Sequence, residues 1–199
     1  SIRRQRQMCI RDRHLGKFID LWLNRSDIRC YKEIGCFPDS SKCPKDTFNT
    51  WKPFALSLVE PTETKGGDHP AIKRFLHHVK MMCNEDEEAT DYMVKWTAHM
   101  LQFPAVLEGT AIVIIGAEGC GKGSLVSYLQ QLVGNDKYLK TFNVGKDLFG
   151  EFNDLLKGTF LINIDEMTAK QFVKGIDVLK GLITEGEMTI RQKHLPSVK

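Results

Sequence analysis

Residues Ile112–Leu125 read IVIIGAEGCGKGSL, and the order of residue types in that stretch describes a site for phosphate. β-Branched residues give way to a turn containing Gly116, Gly119 and Gly121, and then to Lys122. Glycine tolerates backbone angles that a Cβ forbids, so the N–H groups of Gly116, Ala117, Glu118, Gly119, Cys120, Gly121, Lys122, Gly123 and Ser124 can turn inward around a polyphosphate. Lys122 adds a point charge for the outer phosphates, and a helix beginning there directs its positive end at the same anion. The usual pattern has Ser or Thr directly after the lysine to hold magnesium. Here Gly123 stands in that place, which moves the expected hydroxyl ligand to Ser124.

A second constellation lies downstream. Phe160, Leu161, Ile162 and Ile164 form an apolar run, interrupted by Asn163, that delivers Asp165 and Glu166 side by side. Two adjacent acids at a strand end suit chemistry better than packing. One carboxylate holds magnesium, directly or through water, while its neighbour polarises an attacking water. Asp165 is therefore the expected metal ligand and Glu166, with Lys122, the expected catalytic pair. The cofactors implied are ATP and Mg2+.

These residues need elements to hold them. Ala111–Ile115 is a continuous apolar run of the kind found in strands buried on both faces, and Leu125, Tyr128, Leu129, Leu132 and Val133 repeat at helical spacing up to Gly134. Leu148, Phe149, Phe152, Leu155 and Leu156 predict a helix ending at Gly158, directly before the acidic strand. After it, Thr168 and Gln171 fit a capping box for a helix that continues through Phe172, Ile176, Leu179 and Ile183. Met188–Arg191 is a further strand candidate. The expected class is α/β, a parallel sheet flanked by helices.

Ahead of this core, Asp68 and Pro70 mark a helix start with Ile72, Phe75, Leu76, Val79 and Cys83 on one face. A second helix carries Met93, Trp96, Met100 and Phe103 until Pro104 stops it. Their helical spacing favours a packed core over a base-stacking platform. Residues 14–67, with scattered aromatics and prolines, predict short strands and turns. The chain thus divides into a tail at 1–13, an irregular and helical segment at 14–104, and an ATPase-like core at 105–199.

The 199 residues suit one domain with an appendage, and 42% hydrophobic composition is enough for a core. No apolar run is long enough to span a bilayer and the N-terminus lacks the apolar centre of a signal peptide, so no membrane partner is expected and the cysteines read as reduced cytoplasmic thiols. Cys30, Cys36 and Cys43 are spaced too widely for a Cys-x-x-Cys zinc knuckle. The net charge of +3 misleads, because residues 1–13 hold five arginines against Asp12 alone. Such an arm reads either as a nucleic-acid-binding tail or, from its string SIRRQRQMCIRDR, as a translated sequencing adapter. On either reading it is expected to be disordered.

With the motifs in place, the chain from about Phe48 onward resembles the ATPase region of superfamily 3 helicases, in particular the primase-associated helicase domains of phages and large DNA viruses. The likeness is carried by the glycine-rich turn, the Asp165–Glu166 pair, FNTWKPFAL at Phe48–Leu56, MLQFP at Met100–Pro104 and GEFNDLLKG at Gly150–Gly158. It implies a P-loop NTPase fold of AAA+-like type, a homo-hexameric ring that hydrolyses ATP between subunits, and a single DNA strand in a central channel. It also implies work in the host cell's cytoplasm, within a replication complex. The family's sensor strand, usually ending in Asn, and its arginine finger would lie beyond Lys199, which suggests a truncated reading frame. Glu187–Lys199 resembles the start of the family's DNA-contacting hairpin, with Lys193 and His194 as the matching nucleic-acid contacts. No acid occurs from Met188 onward, as suits a segment facing phosphates.

Two rivals use the same residues. A nucleotide kinase of adenylate-kinase-like type also tolerates a glycine after the lysine, but it needs arginines in a lid, and only Arg191 occurs between Gly134 and Lys199. A non-catalytic nucleic-acid-binding module would keep the fold for assembly alone.

Overall fold

A computed structural model of the chain describes residues 18–60, 68–185 and 190–191. The chain forms two compact units, residues 1–34 with 44–48, and residues 35–43 with 49–199. In the first, residues 18–23 are helical, Tyr31 meets Phe48 edge to face at 5.3 Å, and Lys32 Nζ pairs with Asp46 Oδ2 at 3.0 Å. Two three-residue strands, β1 (Glu33–Gly35) and β2 (Thr47–Asn49), pair with each other. Short strands and turns are what the prolines and scattered aromatics of this region predict.

The larger unit opens its helical part with α1 (Pro70–Met82) and α2 (Glu87–Gln102). Pro70 occupies the first position of α1, where its missing N–H would have had no partner anyway. The cap is His69, whose side chain accepts from the Ala71 N–H, rather than Asp68. Asp86 caps α2 by accepting from Ala89, and Glu87 and Glu88 favour the positive end of the helix dipole. Helix α2 stops at Phe103, one residue before Pro104.

Helix α3 (Lys122–Val133) ends at Gly134, whose φ of +100° only glycine adopts readily. Then follow β3 (Tyr138–Thr141), the single turn α4 (Val144–Asp147), β4 (Leu161–Ile164) and α5 (Ala169–Thr184). The capping box of Thr168 and Gln171 forms as expected. β3 and β4 are parallel, with Tyr138 beside Leu161 and Leu139 beside Ile162.

Because side chains alternate across a strand, this register sorts the sheet into two faces. Tyr138 and Leu161 pack with Leu129 and Val133 of α3, together with Phe54 and Met100. Leu139, Ile162 and Ile164 face the opposite way, against Val144, Leu148 and Leu156, with Leu182 of α5 in the same cluster. Helices on both faces of a parallel pair make the class α/β. Trp51, Phe54 and Phe160 pack edge to face at 4.8–5.9 Å. Of the aromatics on α2, Trp96 packs against the cluster of Phe54 and Met100, whereas Phe103 at its end is exposed.

Two expectations need correction. Among the described residues Ala111–Ile115 joins no ladder, and the sheet of the larger unit consists of β3 and β4. Ile112 and Ile114 pack on Val79, Met93 and Leu125, but Val113 and Ile115 are 79% and 93% exposed. The run is therefore covered on one side, for want of a described neighbour on the other. The helix expected over 148–156 is replaced by α4 and a 3-10 turn at Asp154–Leu156. A Cβ on Gly150 would lie 2.3 Å from the Lys146 carbonyl oxygen, so the chain bends there too tightly to continue a helix. The helix expected through Phe172, Ile176, Leu179 and Ile183 forms as α5, which buries Gly175 and Leu179 and leaves Phe172 exposed. Of Met188–Arg191, only Ile190 and Arg191 are described; Ile190 forms a bridge and Arg191 exchanges hydrogen bonds with Asn153. The tail at 1–13 lies outside the described residues.

The burial of Gly175 has a measurable consequence. A Cβ there would sit 1.8 Å from Phe149 Cζ, so Gly175→Ala is expected to lower stability by about 1–3 kcal/mol through overpacking. Urea unfolding of Gly175→Ala and of Gly175→Ala/Phe149→Leu checks this, because the smaller partner should restore part of the loss.

Candidate functional site

The glycine-rich turn is built by two positive-φ glycines and a close approach. Gly119 and Gly121 have φ of +76° and +98°, and Gly121 is the N-cap of α3. Gly116 has an ordinary backbone angle, but a Cβ on it would meet Cys120 Sγ at 3.1 Å. Its glycine is required by space and not by conformation. Around Gly123 a Cβ would meet nothing within 4 Å. No side chain caps α3, although the Ser124 N–H donates to the Gly121 carbonyl oxygen at 3.0 Å. Lys122 folds back over the turn, its Nζ donating to the Gly116 and Ala117 carbonyl oxygens, both at 2.7 Å. Ser124 sits in the first turn of α3 and is exposed.

Beyond β4 the ladder continues for one more bond, from the Asp165 N–H to the Thr141 carbonyl oxygen at 3.0 Å. This extension holds Asp165 at the end of the strand. Its Oδ2 pairs with Lys140 Nζ at 2.8 Å, and Lys140 also lies over the Phe142 ring at 4.7 Å. Hydrogen bonding to the carboxylate, with a smaller direct charge effect, holds the Lys140 ammonium above its ordinary value of 10.5. A raised lysine pKa means that the pair's contribution is complete below 10.5 and disappears as pH climbs through the raised value. Both side chains are about two-fifths exposed, so solvent and salt keep the contribution small. Glu166, the next residue, has a φ of +59°, unusual for a side chain of this type.

Helix α3 links the turn to the sheet. Its C-terminal residues Leu129 and Val133 share a cluster with Tyr138 and Leu161, which begin their strands. At its N-terminal end, where the turn is attached, Leu125 packs with Val79, Ile112 and Ile114. Asp165 follows the carboxyl end of β4, and continued alternation from Leu161 and Asn163 puts it on the sheet face that Leu129 and Val133 cover. In open α/β sheets ligands bind in the crevice outside the carboxyl ends of the strands. Lys193 and His194 lie outside the described residues.

A hard cation here would find oxygen donors of the right type in Asp165 and Ser124. Among the described residues no three His, Cys, Asp or Glu side chains form a preassembled metal cage. A magnesium ion would have to draw its remaining ligands from phosphate oxygens and water, as Mg2+ commonly does.

Two neighbours of the site carry no warning in the sequence. His78 of α1 reaches the turn, with Nε2 3.1 Å from the Gly121 carbonyl oxygen, and Lys140 binds Asp165 from the adjacent strand. Parallel register, which puts Lys140 beside Asn163, is what brings the lysine within reach.

A protein-family model described as a family of unknown function (DUF5906) matches residues 114–199, a stretch that includes the whole turn and the acid pair. No curated protein matches the chain. Among solved structures, the apo structure of the NrS-1 C-terminal region is similar, with a TM-score of 0.60 and 20% identity over 76% of this chain and 35% of that one. The A form apo structure of the same region has a TM-score of 0.60 and 22% identity with the same coverage. The chain therefore shares its fold with part of that region and spans about a third of its length. Among the described residues no helix is long and apolar enough to cross a membrane.

The left-handed backbone at Glu166 generates a test independent of any ligand. Replacing a non-glycine residue there relieves steric strain, so Glu166→Gly is expected to raise stability by about 0.5–1 kcal/mol. The denaturant midpoint measures it, and an unchanged or lower midpoint would mean that the residue is not held in that conformation in solution.

Proposed function

We propose that this chain is the ATP-binding part of a DNA-unwinding motor from a phage or viral replication protein, a P-loop ATPase of superfamily 3 helicase type. The observation that carries the reading is the glycine turn at the head of α3, a helix that packs on the two strands, one of which runs on into Asp165 and Glu166. In this reading a phosphate chain at the α3 N-terminus extends toward Asp165. The fold shared with part of the NrS-1 C-terminal region is compatible with the reading, though it carries fold alone.

In this mechanism the backbone N–H groups of Gly116–Ser124 hold the phosphates, and Lys122 leaves its two carbonyl partners to bind their outer oxygens. Asp165 and Ser124 hold the metal, which when bound would neutralise charge building up on the transferred phosphoryl group. Lys140 holds the Asp165 carboxylate in place until then. Glu166, turned out of the strand by its left-handed backbone, orients the attacking water. Catalysis of this kind consists of positioning and electrostatic stabilisation. Lys193 and His194 would contact one DNA strand in the channel of a hexameric ring.

The reading separates two variants. With a fluorescent ATP analogue and a phosphate-release assay, Lys122→Ala should lose binding, whereas Glu166→Gln should bind like the parent and lose hydrolysis at least tenfold. Equal loss of binding in both would overturn the assignment of roles. DNA titration with and without a non-hydrolysable analogue completes the test, since affinity indifferent to nucleotide would favour a passive DNA-binding module over a motor.

A further inference from the structure

We infer that His78 is a positioning residue of the glycine-rich turn, and that helix α1 is through it a working part of the nucleotide site and not only a packing neighbour. The inference rests on the ATP-binding reading above and adds a residue to it.

Three observations converge on His78. Its Nε2 lies 3.1 Å from the Gly121 carbonyl oxygen, and because a carbonyl only accepts, the ring must carry its proton on Nε2. The ring also fills the space beside Gly121, where an added Cβ would come within 2.8 Å of His78 Cε1. Finally the imidazole is braced from the side by Tyr128, edge to face at 6.0 Å, and Tyr128 is braced by Phe75 at 6.1 Å. Tyr128 belongs to α3 and Phe75 to α1, so the ring is wedged between the two helices.

The adjacent residue fixes the helix that carries it. Val79 is fully buried and packs in one cluster with Ile112 and Ile114 before the turn and with Leu125 after it. Helix α1 therefore holds both arms of the turn by apolar contact and its final glycine by a hydrogen bond. Gly121 is also where the chain must pass through φ +98° to start α3. The same carbonyl oxygen accepts the Ser124 and Leu125 N–H groups at 3.0 and 3.2 Å, so His78 adds a side-chain donor to the two backbone ones that restrain the adjoining peptide, and that peptide supplies the Lys122 N–H at the head of the helix. Without the His78 bond the helix still holds that carbonyl, but the direction of the N–H group is less closely fixed. Pre-organised donors bind an anion more tightly than donors that must be ordered by it.

Two substitutions isolate the hydrogen bond from the packing. His78→Phe keeps a ring against Tyr128 and removes the donor; His78→Gln restores an N–H donor at similar reach. Both variants of the full chain, with the parent and Lys122→Ala as references, are titrated with a fluorescent ATP analogue and magnesium, and their melting temperatures are recorded. We expect His78→Phe to melt with the parent yet bind about five- to tenfold more weakly, as befits one hydrogen bond, and His78→Gln to bind within about threefold of the parent. If His78→Phe binds like the parent, or if His78→Gln is as weak as His78→Phe, the hydrogen bond has no positioning role. A drop in melting temperature that tracks the loss of affinity would make His78 a packing residue only. A parent chain that binds the analogue no better than Lys122→Ala would instead overturn the ATP-binding reading itself, before the His78 variants are compared.

Discussion

The apolar contact between α3 and the start of the sheet is the constraint from which the rest follows. Leu129 and Val133 share a cluster with Tyr138 and Leu161, the residues that begin β3 and β4. That contact ties the helix, and with it the glycine turn at its N-terminus, to the strand pair that runs on into Asp165 and Glu166. The residues of the candidate site are polar, but aliphatic packing holds the elements that carry them.

The two halves of the site are stabilised in different ways. The acid pair belongs to the sheet, since a backbone bond from Asp165 to Thr141 and an ion pair to Lys140 hold it at the end of the ladder. The turn belongs to the helices, since α1 grips it at Val79 and His78 while the preceding run, Ile112–Ile115, gains no strand partner among the described residues. One side of that run is covered and the other carries Val113 and Ile115 into solvent. Burial of alternate residues alone orients the turn less firmly than a ladder would, which is why the contribution of α1 matters.

Polar groups close to the site are arranged in opposed charges. Lys122 donates to carbonyl oxygens of its own turn, and Lys140 to the carboxylate across the strand. Both contacts are exposed and weakly held, as suits groups that exchange partners when an anion or a cation arrives. By contrast, the Thr141 hydroxyl is buried and donates to Asp147 at 2.7 Å, so it serves the fold.

Much of this was legible in the chain. Glycine spacing with a following lysine, a capping box at Thr168, Gly134 as a helix stop, and paired acids after an apolar run are local signals, and each depends on backbone chemistry that neighbours seldom override. The helix expected over 148–156 was misjudged because apolar spacing says nothing of the tight bend at Gly150. The two-sided burial expected of Ala111–Ile115 was misjudged because coverage of a strand is a property of its neighbours. Which residues are candidates for chemistry was thus decided by the sequence alone. That Lys140 meets Asp165 and that His78 reaches Gly121 were decided only by the tertiary structure, because strand register and helix packing arise from contacts between segments far apart in the chain.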